Sequence, residues 1–388
     1  MKLKKLLSLA LALGLASSLA ACSSQGTSGA SPTPTGSDPA PTADTTLNVL
    51  IVSDLEPLEP VFQEFAQANG ISIQVESVPY AEIFNTIEVR LGAGESSIDV
   101  LVADAPLITN YAAKNYLGSM SEYISADSTS RITSASLAGG TVDGEIMALP
   151  LYSSCVNLYY NKDLFEQAGI EAPEVAYATW DEFFEACDKL KEAGITPIGM
   201  DSADSGWLTN LWMSALIGTN GEAGNEWMNT MYPTDYNTPE VIAAAENIQK
   251  MFQNYTTPDA VGGKYDPMAT HFFNGEVAMF PNGPWMIPDF SETEKAPEGF
   301  YDKVGIMLLP GNGMEMVPTP GDMVGATDPE KIEAAVAFLK FETTPENQIK
   351  ALEMTGLQPV SDNLEIPETL SESDPLMAQA LEIQGQAG

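Results

Sequence analysis

His271–Trp285 reads HFFNGEVAMFPNGPW. Phe272 and Phe273 form an apolar anchor, Gly275 allows a turn, and Glu276–Phe280 has the mixed apolar look of a short buried strand. Pro281-Asn282-Gly283-Pro284 then stops the strand. Two prolines and a glycine make this a stiff, specified loop. Trp285 follows directly, so the stretch presents one large ring on rigid backbone. Such a ring either packs inside the protein or lies open to a ligand, and composition alone leaves both open.

Before this stretch the chain alternates strands and helices. Leu47–Val52 (LNVLIV) is nearly all apolar, the mark of a strand covered on both faces. Leu58, Val61, Phe62 and Phe65 follow at helical spacing, and Gly70 ends that helix. Ile71, Ile73 and Val75 alternate as a second strand. Tyr80, Ile83, Phe84, Ile87 and Leu91 form another helical stripe, and Asp99–Ala103 (DVLVA) is a third strand. The alternation predicts an α/β lobe with a largely parallel sheet. Thr46–Gly388 is longer than one core usually holds, so two lobes are expected. Ligands of such sheets bind beyond the carboxyl ends of the strands, where Asp54 and Glu56 follow the first strand and Asp104 the third.

A formal net charge of -38 excludes nucleic-acid binding through the bulk field and disfavours anionic ligands, unless a local basic pocket exists. Lys2, Lys4 and Lys5 precede an apolar run from Leu6 to Leu19, which closes on Leu19-Ala20-Ala21-Cys22. This is the layout of a targeting signal and is too short for a comfortable membrane span. Ser23–Thr45, rich in Ser, Thr, Gly, Ala and Pro, cannot build a core and reads as a tether, with a coil dimension of about 25–30 Å. Cys155 and Cys187 read as small buried hydrophobes; a disulfide between them has no sequence support. His271 is the single histidine, which excludes most His-based triads and multi-His metal sites. Asp201–Gly206 lacks the spacing and distal Glu of a calcium loop. No metal and no cofactor is expected.

Three stretches carry a family resemblance. Phe272, Gly275, Ala278, Met279, Gly283 and Trp285 fall on one signature; Gly144–Pro150 (GEIMALP) with Leu158–Phe165 (LYYNKDLF) falls on a second; Glu333–Gln348 falls on a third. The chain resembles the extracellular solute-binding proteins of ABC sugar importers, the maltose-binding-protein-like group, over roughly Thr46–Val360. Leu-Ala-Ala-Cys similarly resembles a bacterial lipobox, which implies lipidation at Cys22 and attachment to the outer face of the cytoplasmic membrane. The resemblance implies a two-lobed Venus-flytrap fold, each lobe a mixed, mostly parallel sheet flanked by helices. The first lobe is expected over 46–153 and about 317–362, the second over about 154–316 and 363–388.

By the same resemblance Asn282-Gly283-Pro284-Trp285 lays a Trp against a sugar ring, and Asp104 accepts hydrogen bonds from sugar hydroxyls. Tyr152, Ser154, Trp207 and Asp322 stand at further contact positions, with Glu56 added from the strand-end argument. Trp207 and Trp212, five apart on a helix, point in different directions, so one of them reaches a cleft. Trp180 belongs to scaffold. The function implied is capture of a mono- or oligosaccharide by a monomeric, lipid-anchored protein that delivers it to a membrane permease, with no catalysis. The alternatives are a secreted glycoside hydrolase with two carboxylates and the same fold binding a cation such as a polyamine.

Overall fold

The computed structural model describes residues 45–384 except 95–96, 104, 126–128, 131, 133, 153, 204–205, 231–232, 312–313, 317–320, 325–328 and 362–363. The tether, the lipobox cysteine Cys22 and Asp104 therefore lie outside the described residues.

Two sheets organise the body. The first contains β1 (Thr46–Val52), β2 (Ser72–Val78), β3 (Val100–Ala103), β6 (Ala148–Pro150) and β12 (Gly321–Val324), in the order β2-β1-β3-β12-β6. A small hairpin, β4 (Thr141–Val142) with β5 (Glu145–Ile146), leads into β6. β1 pairs in parallel with β2 and β3, as the strand–helix alternation predicts, while β12 runs antiparallel to β3 and β6. The helix Glu59–Asn69 between β1 and β2 buries Val61, Phe62, Phe65 and Ala66. It ends where Gly70 adopts φ +65°, a conformation that favours glycine.

The second sheet contains β7 (Ser154–Asn161), β8 (Thr196–Ile198), β9 (Val277–Asn282) and β10 (Val304–Leu308), ordered β10-β7-β9-β8, with β11 (Met314–Met316) also on β7. It is mostly antiparallel, which corrects the expectation of a mostly parallel sheet. The central β7 enters from the first sheet, and β9, β10 and β11 all run against it; β8 and β9 make the parallel pair. β9 also runs further than its prolines suggest, with Pro281 opposite Leu158 and Asn282 opposite Asn157. β8 pairs only as far as Met279. Beyond it β9 has one partner strand, and a proline lacking its N–H is tolerated there.

Two hydrophobic cores follow. One gathers Leu47–Tyr152 with Ala334–Val360; the other gathers Cys155–Leu309, Leu352 and the C-terminal residues Leu370–Ile383. Trp180 packs on Phe183, Phe184 and Trp212 in the second core, and its Nε1 donates to Thr219 Oγ1 at 2.7 Å. Thr179 and Thr238 cap the helices Trp180–Glu192 and Pro239–Asn254. Asn161 caps the helix Lys162–Gln167, its Oδ1 accepting from Asp163 N and Leu164 N, and Asp163 pairs with Lys303 at 2.9 Å. Both Cys155 and Cys187 are free thiols buried in the second core, and burial pushes the Cys187 thiol well up. Among the described residues no helix is long and apolar enough to cross a membrane.

Candidate functional site

The carboxyl ends of β1 and β2 deliver two short elements to one edge of the first lobe. The 3₁₀ turn Ser53–Leu58 buries Leu55 and Leu58 and leaves Asp54 and Glu56 exposed. Glu56 Oε1 accepts from Ser77 Oγ at 2.6 Å. Two residues past β2, Tyr80 opens the helix Tyr80–Gly92.

From the second lobe, Trp207 opens the helix Trp207–Gly218 and Trp285 lies in the 3₁₀ turn Pro284–Met286 after β9. The two indoles are 6.2 Å apart between centroids, and the Tyr80 ring lies 5.7 Å from Trp207. Trp285 is half-buried and packs against the core of the first lobe although its backbone follows a strand of the second. The rings thus mark where the two lobes face each other. Trp212 is fully buried and donates to Gly199 O, so Trp207 is the helix tryptophan that turns to this edge.

Asn282 braces the aromatic edge and has no exposed surface. Its Oδ1 accepts from Trp207 Nε1 at 3.1 Å and from Gly283 N at 2.9 Å, and its Nδ2 donates to the Tyr265 hydroxyl at 2.6 Å. Tyr159, also fully buried, donates to Gly283 O at 2.9 Å. At Gly283 an added Cβ would overlap the Trp285 indole, so the ring lies directly against bare backbone.

Charge completes the site. Asp54 is exposed, yet the surrounding protein mass raises its carboxyl, with Asp289, Asp266 and Glu56 adding and Lys295 opposing. Asp289 is raised for the same first reason, burial, and is held by Lys295 Nζ at 2.7 Å. The Tyr265 hydroxyl is pushed up by burial and then by Asp289, Asp54 and Asp266, which keeps it neutral.

The structure therefore brings Trp285, Trp207 and Asn282 together, while Glu56 stands on the turn after β1, bonded to Ser77. Tyr152 is placed differently: it is 6% exposed and packed in the first core. Ser154 lies in β7 opposite Met316, and Asp322 lies in β12 opposite Val102 and Leu149. Their side chains, like all of Asp104, are outside the described residues. Tyr80, Tyr265 and Asp289 were not foreseen. Tyr80 could have been found by the strand-end argument applied to β2, whereas nothing local distinguishes Tyr265 or Asp289. Asp201 is a helix anchor: 1% exposed, it accepts from Leu208 N and Thr209 N. Among the described residues no group of three or more His, Cys, Asp or Glu is placed to hold a metal.

His271 sits at the far end of the helix that begins with Tyr265. Nδ1 meets Glu276 and Nε2 meets Asp259 at 3.0 Å. Burial alone would lower its pKa, but the hydrogen bonds to Asp259 and Glu276 win and raise it. A raised folded value means the stabilisation is whole below the ordinary value of about 6.5 and is lost as pH rises through the folded value. In denaturant titrations, the stability difference between wild type and His271→Asn should shrink by about 0.5–1 kcal/mol between mildly acidic and mildly alkaline buffer.

Comparison with known proteins is consistent with this geometry. The multiple sugar-binding protein of Streptococcus mutans is 24% identical over 227 residues, 55% of this chain and 51% of that protein. The sn-glycerol-3-phosphate-binding periplasmic protein of Escherichia coli is 27% identical over 226 residues, 56% of this chain and 50% of that one. A solved chitin oligosaccharide binding protein superposes with a TM-score of 0.74 at 24% identity, covering 89% of this chain and 88% of the other, a likeness of fold. The sequence profile of the bacterial extracellular solute-binding proteins matches residues 61–379, and the chain belongs to that family.

Proposed function

We propose that the protein binds a carbohydrate outside the cell, in the opening between its lobes, and delivers it to the permease of an ABC importer. The observation that carries this reading is Trp285: an indole from the second lobe lies against the first, beside Trp207, which in turn meets Tyr80, while Asp289, Asp54 and Asp266 act on the Tyr265 hydroxyl bonded to Asn282. Flat rings and acceptor side chains are what hold a polyhydroxylated ring. Family membership and the sugar ligand of the Streptococcus mutans relative support it. In this reading Trp285, Trp207 and Glu56 touch the ligand, with Asp104, Ser154 and Asp322 at its margins and Tyr152 packed behind them in the first core, while Asn282 holds the Trp207 indole and the Gly283 backbone. Lobe boundaries near residues 153, 316 and 362 then act as the hinge crossings, and closure follows binding. The body is a monomer held to the membrane by a lipid on Cys22 through the tether. A panel of mono- and oligosaccharides tests this by thermal shift and small-angle scattering. A true ligand raises the melting temperature and lowers the radius of gyration, and a panel that does neither overturns the reading.

One observation favours a second reading. Asp54 and Asp289 come from different lobes and lie near enough for the charge of Asp289 to act on Asp54, and a pair of carboxyls is what a glycoside hydrolase requires. Turnover of a chromogenic glycoside, abolished by Asp54→Asn, would establish it.

Gly283→Ala is a sharper probe of the ring. The new methyl displaces the indole, which also packs against the first core, so sugar affinity should fall by about tenfold or more. Calorimetry reads the affinity, and a nearly unchanged melting temperature shows that the fold persists.

A further inference from the structure

We propose that Tyr159 is a positioning residue for ligand capture: from inside the second core, its hydroxyl fixes the carbonyl of Gly283 and so sets the plane in which Trp285 meets a sugar ring. This rests on the carbohydrate reading above and deepens it.

The turn that carries Trp285 has few soft torsions. Pro284 has a fixed φ, and it holds the residue before it to extended backbone, with Gly283 at φ -81° and ψ 172°. Glycine is still the freest residue of the stretch, and its two polar groups are tied separately. Gly283 N donates to Asn282 Oδ1 at 2.9 Å. Gly283 O accepts from the Tyr159 hydroxyl at 2.9 Å and from Met286 N at 3.2 Å. The Met286 bond lies within the turn and moves with it, whereas the Tyr159 bond ties the turn to the sheet.

Tyr159 is well placed to act as a strut. On the central strand β7 it stands opposite Phe280 of β9 and Ile306 of β10, has no exposed surface, and meets the Phe290 ring edge-on at 5.0 Å. Burial pushes its hydroxyl well up, so the proton stays in place to be donated. The load on the strut is the indole. Trp285 Cε3, Cζ3 and Cη2 lie 2.1–2.5 Å from where a Gly283 Cβ would stand, so the ring rests on the Gly283 α-carbon and tilts with that peptide. On its other side the turn abuts the first lobe: Pro284 O lies against Gly356, which ends the helix Pro345–Thr355 and where an added Cβ would approach to 2.5 Å. Without the hydroxyl the Gly283 carbonyl keeps only the bond inside its own turn. The ligand must then order the ring itself, which weakens binding.

The test is calorimetry of Tyr159→Phe with whichever of maltotriose, raffinose and a chitin trimer binds the wild type tightest, beside near-ultraviolet circular dichroism of the sugar-free protein. Affinity should fall roughly three- to tenfold, the worth of one net hydrogen bond, and the tryptophan bands should change before any sugar is added. Tyr255→Phe controls for lost stability: it removes another hydroxyl of the second core, bonded to Asp188 at 2.8 Å, and should leave affinity as in the wild type. In Trp285→Ala, adding Tyr159→Phe should cost no further affinity, because a hydroxyl that acts through the ring has nothing left to hold. Wild-type affinity in Tyr159→Phe, or an equal loss with and without Trp285, overturns the positioning role. Unchanged tryptophan bands overturn it whether or not a sugar binds. Changed bands with none of the three sugars bound count against the carbohydrate reading and leave the positioning of the ring standing. Thermal melts confirm that each variant folds.

Discussion

Trp285→Ala is expected to weaken sugar binding by about 1.5–3 kcal/mol, roughly ten- to 150-fold. The indole is half-buried before any ligand arrives, so part of its surface is available for stacking. Trp207 stands 6.2 Å away, which lets the two rings flank or floor one sugar. Trp285→Phe should keep part of the affinity, because a smaller flat face remains. Because Trp285 also packs against the first core, the melting temperature of the unliganded variant must be measured beside the affinity. An unchanged affinity in a folded variant would remove Trp285 from the site.

Asp99→Ala is expected to destabilise the protein by about 2–4 kcal/mol, with no direct effect on ligand contacts. Asp99 has no exposed surface, and its carboxylate accepts from Asn48 N and Asn48 Nδ2, both at 2.9 Å. Lys331, which is 32% exposed, adds an ion pair at 2.9 Å. The carboxylate thus ties β1 to the approach of β3 and to the helix Pro329–Glu342. Removing it strands two amide donors and a lysine, though the lysine can turn to water, which limits the loss. Denaturant unfolding checks the value, and Lys331→Met, which leaves the amides served, should cost less.

The strand–helix alternation of the first lobe was legible because β1 and β3 are nearly all apolar, the edge strand β2 alternates, and the helices between them carry apolar stripes. Leu47–Val52 and the stripe Val61, Phe62, Phe65 show both rules at work. Strand direction in the second lobe was not legible. An antiparallel partner with both faces buried reads like a parallel one, and the burial of every residue of β9 and β10 shows why. Of the site, Trp285 was legible because two prolines and a glycine advertise a rigid loop. Tyr265 and Asp289 were not, since the folded contacts that single them out, Asn282 for one and Lys295 for the other, leave no local sequence pattern. Asn282, expected at the ligand, has no exposed surface, and its side chain joins Trp207 and Tyr265 from two separate helices to Gly283 and Met286, which follow it in the chain. Family resemblance supplied positions that residue chemistry alone would have missed among 54 acidic side chains.

The uneven placement of the five tryptophans has a practical outcome. Trp212 is sealed in the second core, and Trp180 is pinned to Thr219. Trp227 is tied to Asp235 away from the opening. Trp207 and Trp285 alone meet at the seam between the lobes. Light emission from this protein is therefore wired to occupancy: a solute arriving at the seam changes the polarity and quenching felt by two indoles while the other three stay constant, so the molecule carries its own optical gauge and needs no dye.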